Sequence, residues 1–158
     1  MDTADKILNN LRRQCSRREY CSQDVLKKAE KSLDGDRKQA LKVLNTLIEE
    51  KYVDDRRYAA AFARDKSAIA GWGAVKIRYM LAAKGISRDI ISSALEEVDL
   101  AKSDDRLRKL LENRYRSLKD DPQQKMKLLR FALGRGYSYD EVSVILNMIE
   151  NKDYDEEI

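Results

Sequence analysis

The chain has 158 residues, 42% apolar and 38% charged, with 32 Lys and Arg against 28 Asp and Glu, a net charge of +4, and no His. Without histidine the commonest general base and metal ligand is missing, and with no run of 18 apolar residues no segment is expected to cross a bilayer. The N-terminus MDTADKILNN lacks the charged-then-apolar pattern of a secretory signal, so a soluble, cytoplasmic protein is expected.

Only 6 Gly and 1 Pro interrupt a chain rich in Ala, Leu, Lys, Arg and Glu, a composition that favours helix throughout. Apolar positions at helical spacing predict nine helices, at about 4–14, 17–32, 37–51, 55–69, 73–84, 88–99, 104–118, 122–135 and 139–150. Ser16 to Glu19, Asp36 to Gln39 and Ser138 to Glu141 have the spacing of a capping box. Asp54 and Asp55 precede the fourth helix as acids at its positive end, and Ser87 and Ser103 are further candidate caps. Asp121 before Pro122 places a capping acid ahead of a proline at the first helical position. Gly85 and Gly136 stand where helices should end in a left-handed residue.

Internal similarity then groups the helices. Residues 75–98 (VKIRYMLAAKGISRDIISSALEEV) lie over 126–149 (MKLLRFALGRGYSYDEVSVILNMI) at a shift of 51, with the two Gly-X-Ser hinges aligned. The first third fits the same pattern more loosely. The predicted architecture is all-α, with three tandem three-helix repeats forming an elongated, curved rod: 1–53, 54–100 and 101–151, followed by an acidic tail, 152–158. Each unit has a thin core. Tyr58, Phe62, Ile69, Ile77, Met80 and Leu81 are expected to be core, and Trp72, between Gly71 and Gly73, is expected to staple a joint between two helices.

Cys15 and Cys21 have no zinc-site spacing and read as small half-buried residues. A thiol switch has only the nearby arginines to lower a thiol pKa. The last eight residues carry a net −3, leaving +7 on the first 150, a balance suited to a polyanionic partner or an acidic protein surface. Residues 70–88 hold Lys76, Arg78, Lys84 and Arg88 and no acid; residues 106–119 hold Arg106, Arg108, Lys109, Arg114, Arg116 and Lys119 against Glu112 alone. Arg12, Arg13, Arg17 and Arg18 form a third cluster, and Arg57 and Arg64 lie on the helix that Asp54 and Asp55 open. A solvated, ion-paired surface explains interleaved charge, but one cluster in every unit favours an interaction surface. The candidate partner-binding residues are therefore Arg57, Arg64, Lys76, Arg78, Lys84, Arg88, Arg106, Arg108, Lys109, Arg114 and Arg116. No nucleophile–base constellation stands out.

The stretch VDDRRYA (53–59), followed by Gly71, IRYML (77–81) and KGI (84–86), resembles the central signature of the RecX family. The upstream residues LR (11–12) and SRREY (16–20) are similar to its opening. The resemblance covers roughly 8 to 150. It implies an all-helical bacterial modulator of the RecA recombinase that needs no cofactor. Such a protein binds in the groove of the RecA–DNA filament and inhibits its ATPase, strand-exchange and coprotease activities, within recombination, DNA repair and the SOS response. The partners implied are the RecA filament and, weakly and through phosphates, DNA; a monomer is expected. The alternative is a stand-alone helical DNA-binding protein. An enzyme with a carboxylate site at Asp54 and Asp55 is a third reading.

Overall fold

The computed structural model describes residues 2–157, and the side chains of 2–153. Among the described residues the chain is all-α, with nine helices: α1 Thr3–Arg17, α2 Ser22–Ser32, α3 Arg37–Glu49, α4 Asp55–Ala68, α5 Ala74–Ala83, α6 Arg88–Glu96, α7 Leu100–Ser117, α8 Gln124–Gly134 and α9 Tyr139–Glu157. They fall into two compact units. One contains Met1–Phe62 and Met80–Ala94, the other Ala63–Tyr79 and Leu95–Ile158.

In the first unit α1, α2 and α3 pack on one another. Leu11 and Cys15, one turn apart on α1, meet Val25 and Ala29 of α2 and Ala40, Val43, Leu44 and Leu47 of α3. The four-residue spacings put each set on a single helix face. Arg12 closes the edge of this bundle, donating to Glu50 at 2.8 and 2.6 Å. α3 ends at an unusual residue: Lys51 takes φ 66°, and the amides of Lys51 and Tyr52 return to the carbonyls of Ile48 and Leu47. This is a Schellman end with lysine where glycine is usual.

In the second unit α7, α8 and α9 pack on one another around Leu107, Leu111, Leu128, Ala132, Tyr137, Val142 and Leu146. The Ser138 capping box forms as expected: Glu141 N donates to Ser138 Oγ at 3.2 Å and Ser138 N to Glu141 Oε2 at 2.7 Å. The C-terminus of α8 receives the N-terminus of α5. Gly73 N donates to Arg135 O at 2.8 Å and Val75 N to Gly136 O at 2.9 Å. The two backbones meet so closely that a Cβ on Gly73 would strike the Gly136 carbonyl, and one on Gly136 would strike Lys76. The stretch 71–73 is thus a joint, as its glycines suggest.

Several boundaries depart from the sequence expectation. Ser16 does not cap α2. It lies inside α1, its Oγ donating to Arg12 O at 2.7 Å, because the buried Leu11–Cys15 face carries α1 on to Arg17. Ser103 is buried within α7 and bonded to the Tyr137 hydroxyl at 3.1 Å, while Asp99 caps that helix through Lys102 N. Asp121 accepts from Gln123 N in a turn, and α8 starts only at Gln124. Ile69 is not core: it is 83% exposed, just beyond the end of α4, whereas Ile77 and Leu81 are buried. α9 extends past residue 150, where the sequence suggested an end, and Asp153 accepts from the Tyr115 hydroxyl at 3.0 Å. The other acidic side chains of the expected tail lie outside the described residues. Cys15 and Cys21 are both buried, and burial raises both thiols, outweighing the nearby cations. That is the opposite of the shift a thiol switch requires.

Gly136 has φ 92° as well as no room for a side chain. Gly136→Ala should therefore destabilise by about 2–4 kcal/mol, combining left-handed strain and overpacking. Gly134→Ala, helical and with open space around it, should instead stabilise by about 0.5–1 kcal/mol. Urea denaturation of the two variants checks this; equal midpoints would contradict the close approach.

Candidate partner interface

The signature acids divide between two helices. Asp54 caps its own helix, its Oδ1 accepting from Arg56 N at 2.9 Å and Arg57 N at 3.2 Å. Asp55 reaches across to α2, whose N-cap residue, Cys21, supplies no capping bond. Ser22 N donates to Asp55 Oδ1 at 2.8 Å and Ser22 Oγ to Asp55 Oδ2 at 2.6 Å. One carboxylate thereby satisfies an amide that the helix itself leaves orphaned. Both acids are occupied structurally, and among the described residues no group of three or more His, Cys, Asp or Glu side chains could hold a metal.

The basic residues divide in the same way. Arg57 is held by Glu19 at 2.8 Å and by the carbonyls of Lys51 and Tyr52. Lys84 pairs with Asp24 at 2.9 Å. Burial alone would raise the Asp24 carboxyl, but the Lys84 hydrogen bond and charge outweigh it and hold it below the usual range. The same hydrogen bond raises Lys84. Arg106 donates to the Ser67 carbonyl, and Arg108 and Lys109 share Asp105 at 2.7 and 3.3 Å. Arg114 stacks on Phe131 at 3.8 Å, with Arg135 on the same ring at 5.0 Å. Lys76 lies 4.4 Å from the Trp72 ring centre and Lys66 4.7 Å, so the lone tryptophan is held by cations at the α5 joint.

Of the sequence candidates, Arg64, Arg78, Arg88 and Arg116 remain. All four are exposed, and their side chains have no hydrogen bond, ion pair or ring contact among the described residues. Arg88 belongs to the first unit and the other three to the second. Arg78 has exposed apolar neighbours on α5. Val75 and Tyr79, three residues before it and one after, are 54% and 73% exposed, so α5 presents a cation between an aliphatic and an aromatic group. The sequence could not single out this face, because α5 (AVKIRYMLAA) is apolar on nearly every side and periodicity does not choose which side is buried.

The described residues thus form three-helix bundles that leave several guanidinium groups exposed. Residues 54–95 match the family description "RecX, second three-helix domain" and residues 103–146 match "RecX, third three-helix domain". The chain is 32% identical over 146 residues to "Regulatory protein RecX" of Clostridium tetani, covering 82% of this chain and 67% of that protein. It is 34% identical over 133 residues to the protein of the same name from Clostridium perfringens strain 13, covering 81% and 60%. The chain belongs to the RecX family. It spans between about half and two thirds of the length of these and two further curated relatives that it matches. The fold matches "Crystal structure of RecX from Lactobacillus salivarius" with TM-score 0.80 at 21% identity, over 94% of this chain and 97% of that one. It matches "Crystal structure of regulatory protein RecX" with TM-score 0.80 at 23% identity, over 92% and 72%.

Asp55→Ala should destabilise by about 1–2 kcal/mol, as for loss of a helix cap. Asp55→Asn should cost less, since its amide oxygen can still accept from Ser22 N. Chemical denaturation distinguishes them, and a neutral Asp55→Ala would refute the cross-helix cap. The Asp24–Lys84 pair, partly exposed, should contribute about 0.5–1 kcal/mol after solvent screening. With Asp24 depressed, that stability is present above its unfolded pKa of about 4 and is lost as pH falls through the lower folded value. With Lys84 raised, it is present below the unfolded pKa of about 10.4 and is lost as pH rises through the higher folded value. Lys84→Met should therefore narrow its deficit relative to the parent at both pH extremes; a deficit constant from pH 3 to 11 would refute the ion pair.

Proposed function

We propose that this chain is an inhibitory regulator of the RecA recombinase, binding in the groove of the RecA–DNA filament and modulating its ATPase, strand-exchange and coprotease activities. The observation that carries this reading is the pair of matches to the second and third three-helix domains of a family whose relatives are named regulatory proteins. The domain boundaries 1–53, 54–100 and 101–151, a cofactor-free monomer and a cytoplasmic role in recombination and repair belong to the same proposal.

Arg64, Arg78, Arg88 and Arg116 carry the electrostatic part of the binding. A guanidinium already bonded inside the protein must break that bond to serve a partner; these four do not. They meet phosphate or carboxylate groups and position the chain without reading base sequence. Tyr79 and Val75 add apolar contact beside Arg78. Arg57, Lys84 and Arg106 act through the fold, holding helix ends and carbonyls in place.

In a RecA filament ATPase assay, replacing Arg64, Arg78, Arg88 and Arg116 together with alanine should raise the half-inhibiting concentration about tenfold at low salt, with helicity unchanged. The gap should narrow at high salt, as charge screening requires. Unchanged inhibition would remove these residues from the interface. A parent chain that leaves the ATPase untouched at any salt concentration, yet binds naked duplex sequence-selectively, would overturn the RecA reading in favour of a stand-alone DNA-binding protein.

A further inference from the structure

The second unit carries a surface opposite in character to the basic clusters. A groove of about 520 Å³ runs between α7 and α9. Its wall from α9 is Val144, Ile145 and Met148; Val144 and Met148 lie one helical turn apart and are each 55% exposed. Four carboxylates line it, Asp104 and Asp105 from α7 and Asp140 and Glu141 from α9, against the single cation Arg108.

The acids are unequally satisfied. Asp105 is paired with Arg108 and Lys109, and Glu141 accepts from the Ser138 amide. The carboxylates of Asp104 and Asp140 have no hydrogen bond or ion pair among the described residues. Partial burial raises the Asp104 carboxyl, and the charge of Glu141 raises it further. The groove therefore combines apolar surface open to solvent with negative charge short of counter-charge. Nucleic acid and anionic lipid are repelled from such a rim, while a cationic group desolvated against it is attracted.

We propose that this groove is a docking site for a cationic amphipathic helix of a protein partner. Apolar residues of that helix, at i and i+4, lie against Val144 and Met148, and its flanking lysines or arginines pair with Asp104 and Asp140. This is the helix-in-groove mode of recognition, with the apolar wall giving affinity and the acidic rim giving specificity and register. The inference does not depend on the RecA reading: the groove recognises a segment by charge and apolar spacing, whichever protein carries it.

The test uses the full chain labelled with ¹³C at its methionine methyls and an 18-residue synthetic helix with leucines at i, i+3, i+4 and i+7 and lysines on both flanks. Met148 lines the groove, whereas Met126, also about half exposed, is on α8. On titration the Met148 methyl should shift saturably while Met126 stays fixed. Asp104→Asn with Asp140→Asn, both exposed positions, should weaken binding at least fivefold with helicity retained, and a peptide with glutamate in place of lysine should leave Met148 unmoved. Four results would each overturn the proposal: an unmoved Met148, equal shifts at Met126 and Met148, a Met148 shift on concentrating the protein alone, which would make the occupant a second copy, or a Met148 shift on adding a single-stranded oligonucleotide. Since no RecA is present, failure here leaves the ATPase test standing, and the reverse also holds.

Discussion

The first turn of every helix leaves amides without intrahelical partners, and two short helices here depend on other parts of the chain to satisfy theirs. α2 has a cysteine at its N-cap, and the carboxylate of Asp55 supplies the missing acceptors through Ser22. α5 follows a glycine joint, and the end carbonyls of α8 take the amides of Gly73 and Val75. Both are long-range solutions to a local problem. They bring segments 33 and roughly 60 residues apart in the chain into fixed register, which a thin three-helix core specifies only weakly. At this joint glycine is required at 73 and 136, because a Cβ on Gly73 would strike the Gly136 carbonyl and one on Gly136 would strike Lys76.

The same economy governs charge. With 38% charged residues, a basic cluster in the sequence does not amount to a basic surface. Arg57 is consumed by Glu19 and two carbonyls, Lys84 by Asp24, Arg106 by the Ser67 carbonyl, and Arg114 by the face of Phe131. These cations fix the ends of helices or cover aromatic rings. Arg64, Arg78, Arg88 and Arg116 are left to solvent, while the α7–α9 groove keeps its acids in excess. A chain with a modest net charge thus separates internal fasteners, exposed positive groups and a negative trough.

Much of the fold was legible because its signals are local. Gly85 and Gly136 mark helix ends through their own backbone angles, and Ser138 with Glu141 forms the reciprocal cap that its spacing predicts. Ser16 and Glu19 show the limit: they have the same spacing, but packing of Leu11 and Cys15 extends α1 through Ser16, and Glu19 is taken by Arg57 from 38 residues away. Asp55 is the complementary case, a residue legible as a helix-start acid whose actual recipient is another helix. For the candidate interface, the sequence names the cationic residues but not which of them are available. Which arginines are free depends on tertiary partners, and the exposed face of α5 is hidden in a segment that is apolar nearly all round.

Native-state amide hydrogen exchange at Ser22, Gly73 and Val75 tests most directly the claim that distant segments complete these helix ends. If they do, all three amides, although at the very starts of their helices, exchange at least a hundredfold more slowly than in an unstructured peptide. Exchange at free-peptide rates, with the helix interiors still protected, would contradict it.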